Sequence, residues 1–140
     1  MDHIDSQALK DFFLHDEFAR QNGIEIVEIA EGYARTQVRL EPRHLNAGGS
    51  VQGGVLFTLA DLAFAAAVNS HGLATVGTTN NVTYMRSARL GDLLTAVAKE
   101  ENHHKLPFCE VKVFNQDEAL VCVMTGMAYR RSTPLMPSDI

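Results

Sequence analysis

Residues 46–54 read NAGGSVQGG and lead directly into residues 55–69, which read VLFTLADLAFAAAVN. A glycine-rich loop therefore opens a helix that is apolar on nearly every side, and a helix of this kind is buried inside a protein. Its one charged residue is Asp61. The sequence predicts a central buried helix, and the rest of the chain is expected to form a sheet that wraps it.

Length and charge exclude several classes of protein. The 140 residues suit one domain, expected to span 1–140, and the net charge is −5. No cluster of five or more basic residues occurs, which argues against nucleic acid as the main partner. No signal peptide is visible, and the apolar run inside 55–68 is shorter than the roughly 20 residues of a membrane span. We therefore expect a cytoplasmic protein without a membrane partner, in which Cys109 and Cys122 are reduced core thiols.

Periodicity predicts one helix before the central helix and a set of strands on either side of it. A helix is expected over 6–22, capped by Ser6, and the strand runs are 24–29, 33–40, 75–86, 92–102, 107–115 and 119–129. The first run breaks its alternation once, as a bulge would. Short connections predict that successive strands are antiparallel neighbours. The tail from Ser132 is expected to fray.

These elements predict an α+β fold, in which an antiparallel sheet of about six strands wraps one long helix. Alanines give the helix a thin body around which a sheet can curl, but the far side of the helix stays uncovered. Because an uncovered apolar face requires a partner, we expect at least a homodimer.

Asp61 is the first candidate for chemistry. No Lys or Arg lies within one helical turn of it, so its carboxylate should resist ionisation and its pKa should be raised. Groups of this kind cluster at functional sites. A buried Asp that merely bonds a backbone group or a neighbouring hydroxyl is the alternative.

Gly53 and Gly54 are the second candidate, because they occupy the first turn of the helix. Backbone N–H groups there lack intrahelical partners, and glycine lets a ligand atom approach them closely. This arrangement suits an anion, or a carbonyl oxygen that gains negative charge, although a plain helix start is the alternative. Eight residues of helix, roughly 12 Å, separate Gly53 from Asp61. One reacting group cannot touch both residues of one chain, so the functional interpretation predicts a site shared between two subunits.

Two motifs resemble the hotdog-fold acyl-CoA thioesterases of the phenylacetic acid degradation type. The first is Asn46-x6-Gly53-Gly54 with Leu59-Ala60-Asp61, and the second is the run NVTYMRSARLGD at 81–92. The resemblance covers about 24–130. It implies a hotdog fold, assembly as dimers and often tetramers, and no cofactor beyond the coenzyme A of the substrate.

The resemblance also implies roles for individual residues. Asp61 matches the catalytic carboxylate, which acts as base or nucleophile, Gly53 matches the N–H that polarises the thioester carbonyl, and Asn46 matches an orienting amide. The family usually has His where this chain has Gln52, and Gln cannot titrate near neutrality. Gly77 stands where many relatives carry Ser, and we take Thr79 as its substitute, on the expectation that both share one face of the strand.

Further residues are candidates for binding the two parts of an acyl-CoA. The cations expected near the phosphates are Arg86, Arg89, His104 and Lys105, and the candidates for the acyl pocket are Gly54, Phe57, Phe64, Val68 and Tyr84. No histidine pattern typical of a metal site occurs. We expect a thioesterase acting on an aryl- or medium-chain acyl-CoA. A non-catalytic acyl-CoA-binding or regulatory module is the alternative, and a hydratase or dehydratase is a third interpretation.

Overall fold

The computed structural model describes residues 5–101 and 105–136. In chain order the elements are α1 (Ser6–Phe13), α2 (Glu17–Gln21), β1 (Glu25–Ala30), β2 (Tyr33–Arg39), a 3-10 turn (Pro42–His44), α3 (Gly53–Val68), β3 (Leu73–Tyr84), β4 (Leu93–Glu100), β5 (Phe108–Phe114) and β6 (Leu120–Pro134). The strands form one antiparallel sheet that wraps α3, as the sequence predicts. The α+β hotdog architecture is thereby confirmed.

The order of the strands in the sheet is β1-β2-β4-β5-β6-β3, so the prediction that successive strands are neighbours is wrong for β3 and β4. The segment between them is tied to the end of β2, where Leu40 N–H donates to the Asp92 carbonyl and Gly91 N–H donates to the Leu40 carbonyl. This anchoring starts β4 beside β2. Strand β3 consequently pairs only with β6 and forms one edge of the sheet.

Helix α3 lies in the concave face of the sheet, and residues such as Leu59 and Ala60 are fully buried there. The helix runs antiparallel to β3. Tyr84 contacts Gly53 and Asn80 contacts Asp61, while Asn69 at the end of the helix bonds the Thr75 backbone. The edge strand therefore passes over both candidate residues of the helix.

Arg130 of β6 fixes the far end of α3. Its guanidinium donates to the Val68 carbonyl at 3.0 Å and to the Glu100 carboxylate at 3.1 Å, and Arg130 is only 7% exposed. Glu100 belongs to β4, so this ion pair joins two strands to the helix C-terminus. Cys109 and Cys122 are buried and unpaired, as expected of core thiols.

The N-terminal helix is broken in two, contrary to the single helix predicted over 6–22. Asp16 caps α2 by accepting a bond from Ala19 N–H at 3.0 Å, and a residue that caps a new helix ends the preceding one. Asp5 rather than Ser6 caps α1, while Ser6 Oγ donates to the Ile29 carbonyl. Phe18 of α2 is 67% exposed.

Most strand ends lie within about two residues of the prediction, and the largest difference is at the end of β6. The bulge expected in β1 is present between Ile26 and Glu28. Strand β6, however, continues to Pro134, which pairs with Leu73, so the chain is ordered past Ser132 where fraying was expected. No helix in residues 5–101 and 105–136 combines the length and the apolar character needed to cross a membrane.

Candidate active site

The Asp61 carboxylate is half-buried between α3 and β3. Asn80 Nδ2 donates to Asp61 Oδ1 at 3.3 Å, and no Lys or Arg in the described part of the chain forms an ion pair with it. Burial raises the pKa of Asp61, the nearby Asp16 carboxylate raises it further, and the Asn80 bond opposes both effects. The predicted direction is confirmed. A carboxylate with a raised pKa holds protons more strongly than an exposed Asp and is suited to proton transfer.

The glycine-rich loop is held together by Asn46. Its Oδ1 accepts bonds from Gly48 N–H at 2.9 Å and from Ser50 N–H at 3.1 Å, while Nδ2 makes one long contact of 3.5 Å with the Val51 carbonyl. Gly49 has a φ of 86°, a conformation that glycine adopts without strain. The carbonyl end of Asn46 therefore shapes the loop, and the amino end is the part available to a ligand.

Gln52 is the N-cap of α3. Its backbone is extended, and its side-chain Oε1 accepts the Gly54 N–H. Gly54 N–H is thereby engaged, whereas no acceptor for Gly53 N–H exists among the described residues. The helix start consequently offers one free N–H, at the position predicted to polarise a carbonyl.

A cleft of about 410 Å³ brings several predicted residues together at this helix start. Asn46, Gly53, Tyr84 and Arg86 all line it. Tyr84 Oη donates to the Gly53 carbonyl at 3.1 Å, and the Tyr84 side chain remains half exposed. Asp61 does not line this cleft, in agreement with the separation of roughly 12 Å along α3.

Thr79 does not share a face with Gly77, so the expectation that both lie on one face of the strand is wrong. A register shift lies between Gly77 and Thr79, which pair with Ala128 and Met127 respectively. Opposed residues of an antiparallel pair point to the same face, and Ala128 is buried whereas Met127 is 39% exposed. The bulge turns Thr79 outward.

Asn80 takes the inward position instead, opposite Gly126 and against Asp61. The alternation of the strand does not predict this, because strict alternation from Gly77 points the Asn80 side chain outward. Two consecutive polar residues, Asn80 and Asn81, in the middle of a strand were the available signal, since one of them must face inward.

Two residues predicted to line an acyl pocket belong to the core. Phe64 and Val68 are each 1% exposed, and the Phe64 ring packs on Gly77 and Gly126. Their position on the inner side of α3 places them under the sheet. Gly54 and Phe57 instead line a separate groove of about 390 Å³ whose other walls include Phe18.

The cations predicted to bind coenzyme A lie at two separate locations within one chain. Arg86 lines the cleft at the helix start, and Arg89 lies exposed in the following turn. Lys105 lies over the Tyr129 ring with Nζ 5.1 Å from its centroid. Tyr129 pairs with Val76, eight strand residues or about 26 Å from Tyr84. His104 lies outside the described residues.

Comparison with known proteins identifies the family of the chain. Residues 48–122 match the model of the thioesterase superfamily. Acyl-coenzyme A thioesterase PaaI of Escherichia coli strain K12 is 34% identical over 131 residues, covering 93% of this chain and 94% of the relative. The chain belongs to the thioesterase superfamily. It is a hotdog thioester hydrolase of the PaaI type.

Solved structures of superfamily members agree in fold. The PaaI protein of the Escherichia coli phenylacetic acid degradation operon superposes with a TM-score of 0.87 at 32% identity, covering 91% of this chain and 94% of that one. A thioesterase protein from Streptococcus pneumoniae TIGR4, solved with coenzyme A, has a TM-score of 0.75 at 26% identity and covers 79% and 90%. The family model spans α3, β3, β4 and β5, together with most of the glycine-rich loop and the first residues of β6.

Proposed function

We propose that this thioesterase hydrolyses an aryl- or medium-chain acyl-CoA to the free acid and coenzyme A. In this proposal Asp61 acts as base or nucleophile and the Gly53 N–H polarises the thioester carbonyl. The proposal depends on one observation: helix α3 carries both the desolvated Asp61 carboxylate and the Gly53 N–H, which has no acceptor among the described residues. Thioester hydrolysis requires these two functions, a group that delivers oxygen to the carbonyl carbon and a donor for the developing oxyanion.

Asn46 and Gln52 support the N–H in this proposal. Asn46 Nδ2 makes only a contact of 3.5 Å and can donate to the substrate carbonyl beside Gly53. Gln52 engages the neighbouring Gly54 N–H and thereby fixes the first turn of α3. A cap of this kind needs no titrating side chain, so glutamine can replace the histidine common in the family without loss of this role.

We propose a homodimer formed through β3, because this edge strand exposes backbone groups that can pair with another strand. In one chain Asp61 lies under Asn80 and Gly53 under Tyr84. An antiparallel pair of β3 strands centred on Val82 sets Asn80 opposite the partner subunit's Tyr84. The Asp61 of one protomer then faces the partner subunit's Gly53, and the dimer holds two composite sites.

The same register unites the predicted cations. Lys105 lies over Tyr129, which pairs with Val76. The proposed register sets Val76 opposite residue 88 of the partner subunit, and that residue lies between Arg86 and Arg89. Cations from two protomers would then meet at one mouth, where the phosphates of coenzyme A need them. A dimer of dimers is the larger assembly that we propose, and the acyl group would enter beside Tyr84 of the helix-start cleft.

Thiol release from a panel of acyl-CoA substrates, including phenylacetyl-CoA and octanoyl-CoA, tests the activity. We expect turnover that Asp61→Asn abolishes, because the amide can neither take a proton nor attack the carbonyl. Tight binding of the same compounds without thiol release would contradict the proposal, as would unchanged turnover in Asp61→Asn.

A mixed dimer tests the shared site. Asp61→Asn and Gly53→Pro chains carrying different tags are co-expressed, and the heterodimer is purified on both tags. If each site uses one residue from each subunit, one of the two sites is intact, and the heterodimer should have about half of wild-type activity although both parents are nearly inactive. An inactive heterodimer, or an active monomer in sedimentation, would refute the composite site.

A further inference from the structure

Asn80 is the described residue whose side chain hydrogen-bonds the Asp61 carboxylate. An ionised carboxylate can only accept hydrogen bonds, so the amide must turn its Nδ2 toward Asp61 and its Oδ1 away. Nδ2 lies 3.3 Å from Asp61 Oδ1. One end of the Asn80 side chain is therefore committed to the carboxylate, and the other end is a carbonyl oxygen next to it.

That carbonyl oxygen is buried and has no hydrogen-bond partner within the described residues. Buried polar atoms are satisfied in the large majority of cases, by protein or by an ordered water. The Asn80 oxygen is an exception: it is closed off from solvent and faces Gly126, next to the Phe64 ring, which leaves no room for a water. An amide turned the other way would set this oxygen against the Asp61 carboxylate, so the hydrogen bond to Asp61 fixes the orientation of the side chain.

Two glycines around Asn80 explain why the amide comes from this position. A Cβ at Gly126 would overlap Asn80 Oδ1 and would lie 2.8 Å from the Phe64 ring. A Cβ at Gly77 would lie 3.1 Å from the same ring. Phe64 therefore occupies the space beside Gly77 that a hydroxyl-bearing side chain would need, and Gly126 opens the space that Asn80 fills.

We propose that Asn80 is a positioning residue of this thioesterase, with Nδ2 holding the Asp61 carboxylate in its reactive orientation. The inference rests on the proposed function of Asp61. Asp61 takes one proton of a water while the water oxygen bonds to the thioester carbonyl carbon. The C–S bond then breaks, the sulfur leaves with the electron pair, and it receives the proton from Asp61 to give the free thiol and the acid.

Asn80→Ala and the isosteric Asn80→Asp test this role, and Asn81→Ala is the matched control. Asn81 is the next residue of β3, is exposed and pairs with Thr125 rather than Gly126. In both Asn80 variants we expect kcat to fall about 10- to 100-fold, a loss consistent with one hydrogen bond to a charged group, with KM within about twofold of wild type. The Asn81 variant should keep wild-type kcat.

The pH profile separates positioning from structure. The hydrogen bond from Asn80 lowers the pKa of Asp61, and its loss removes this effect. Burial and the Asp16 carboxylate, which both raise the pKa of Asp61, remain. The acidic limb of kcat/KM should therefore move to higher pH in Asn80→Ala, and further in Asn80→Asp, where a second carboxylate is added.

Wild-type kcat in Asn80→Ala overturns the inference. So does a fall in kcat with an unmoved acidic limb, because a packing defect alone would give that result. Asn80→Asp keeps the test valid if the alanine variant does not fold, since its shape is that of asparagine. In all these outcomes Asp61→Asn still abolishes turnover, whereas failure of the proposed function would appear as turnover that survives Asp61→Asn.

Discussion

Replacing Gly53 by proline removes one hydrogen-bond donor from the proposed site and little else. Proline lacks the backbone N–H, and it is well tolerated at the first position of a helix because the N–H there has no intrahelical partner. Gly53 is the first residue of α3, and Gln52 before it has φ −73° and ψ 132°, an extended conformation that proline requires of its predecessor. The backbone therefore needs no rearrangement.

The matched control is Gly53→Ala, which adds a Cβ but keeps the N–H. In both variants the new Cβ lies 3.2 Å from Tyr84, whose side chain is 51% exposed and can move outward. Any steric effect on Tyr84 is thus common to the two variants. The difference between them reports the loss of the N–H together with its replacement by the ring Cδ of proline.

Loss of one oxyanion donor costs about 10²–10³ in kcat, or about 2.7–4 kcal/mol of transition-state stabilisation. We therefore expect Gly53→Pro to lose that factor in kcat relative to Gly53→Ala. KM should change less, because the donor acts mainly on charge that develops in the transition state. The assay is thiol release under saturating acyl-CoA, with far-UV circular dichroism to check that α3 is retained.

Two results would refute this reasoning. If Gly53→Pro turns over substrate as fast as Gly53→Ala, the N–H does not stabilise the reacting carbonyl. If Gly53→Ala loses as much activity as Gly53→Pro, close approach past Tyr84 rather than hydrogen bonding is the requirement at this position.

Three further predictions concern the surroundings of the site. Asp61→Asn should raise the melting temperature at pH 7. Because the pKa of Asp61 is raised in the folded protein, the wild-type protein loses stability as the pH rises above the unfolded pKa of about 3.9. The difference in melting temperature between the two proteins should therefore vanish below about pH 4 in thermal scans. Gly126→Ala should displace Asn80 and lower stability by about 1–3 kcal/mol through overpacking, with a loss of kcat beyond that of a remote core change of equal stability cost. Glu100→Ala should cost about 3–5 kcal/mol in urea unfolding, because it leaves the Arg130 charge buried without this carboxylate, and a cost under about 1 kcal/mol would contradict that account.

The central helix and the behaviour of Asp61 were predictable because they depend on local sequence. An apolar run of helical length must be buried. A carboxylate on such a helix is therefore desolvated, and no cation in the adjoining turns of the helix offsets this, whatever the order of the strands around it. Strand order was not predictable in the same way. The neighbour of β3 is set by the bonds between Leu40 and the segment before β4, and these join residues about fifty positions apart in the chain.

Two local errors have definite causes. An Asp at position 16 is compatible with a helix interior or with an N-cap. In the structure its side chain accepts a 3.0 Å hydrogen bond from Ala19 N–H and so acts as an N-cap, and a second helix therefore begins here. The bulge after Gly77 shifts the alternation of β3 by one residue, which exchanges the inward positions of Thr79 and Asn80. A single extra residue in an edge strand leaves little signal beyond the adjacent pair Asn80 and Asn81, yet it decides which side chain meets Asp61.

The departure of Gln52 from the family pattern has a physical consequence for the chemistry. Its Oε1 engages the Gly54 N–H, so in the proposed mechanism the Gly53 N–H is the donor at the helix start for an incoming carbonyl. In that mechanism proton transfer depends on Asp61 and not on residue 52, because a glutamine cannot exchange a proton near neutrality. A protein with one titrating group at its centre should have a kcat/KM profile with a single acidic limb, and its position depends on the balance between burial, Asp16 and the Asn80 bond. In Gln52→His a second limb should therefore appear near the pKa of histidine only if that imidazole enters the reaction.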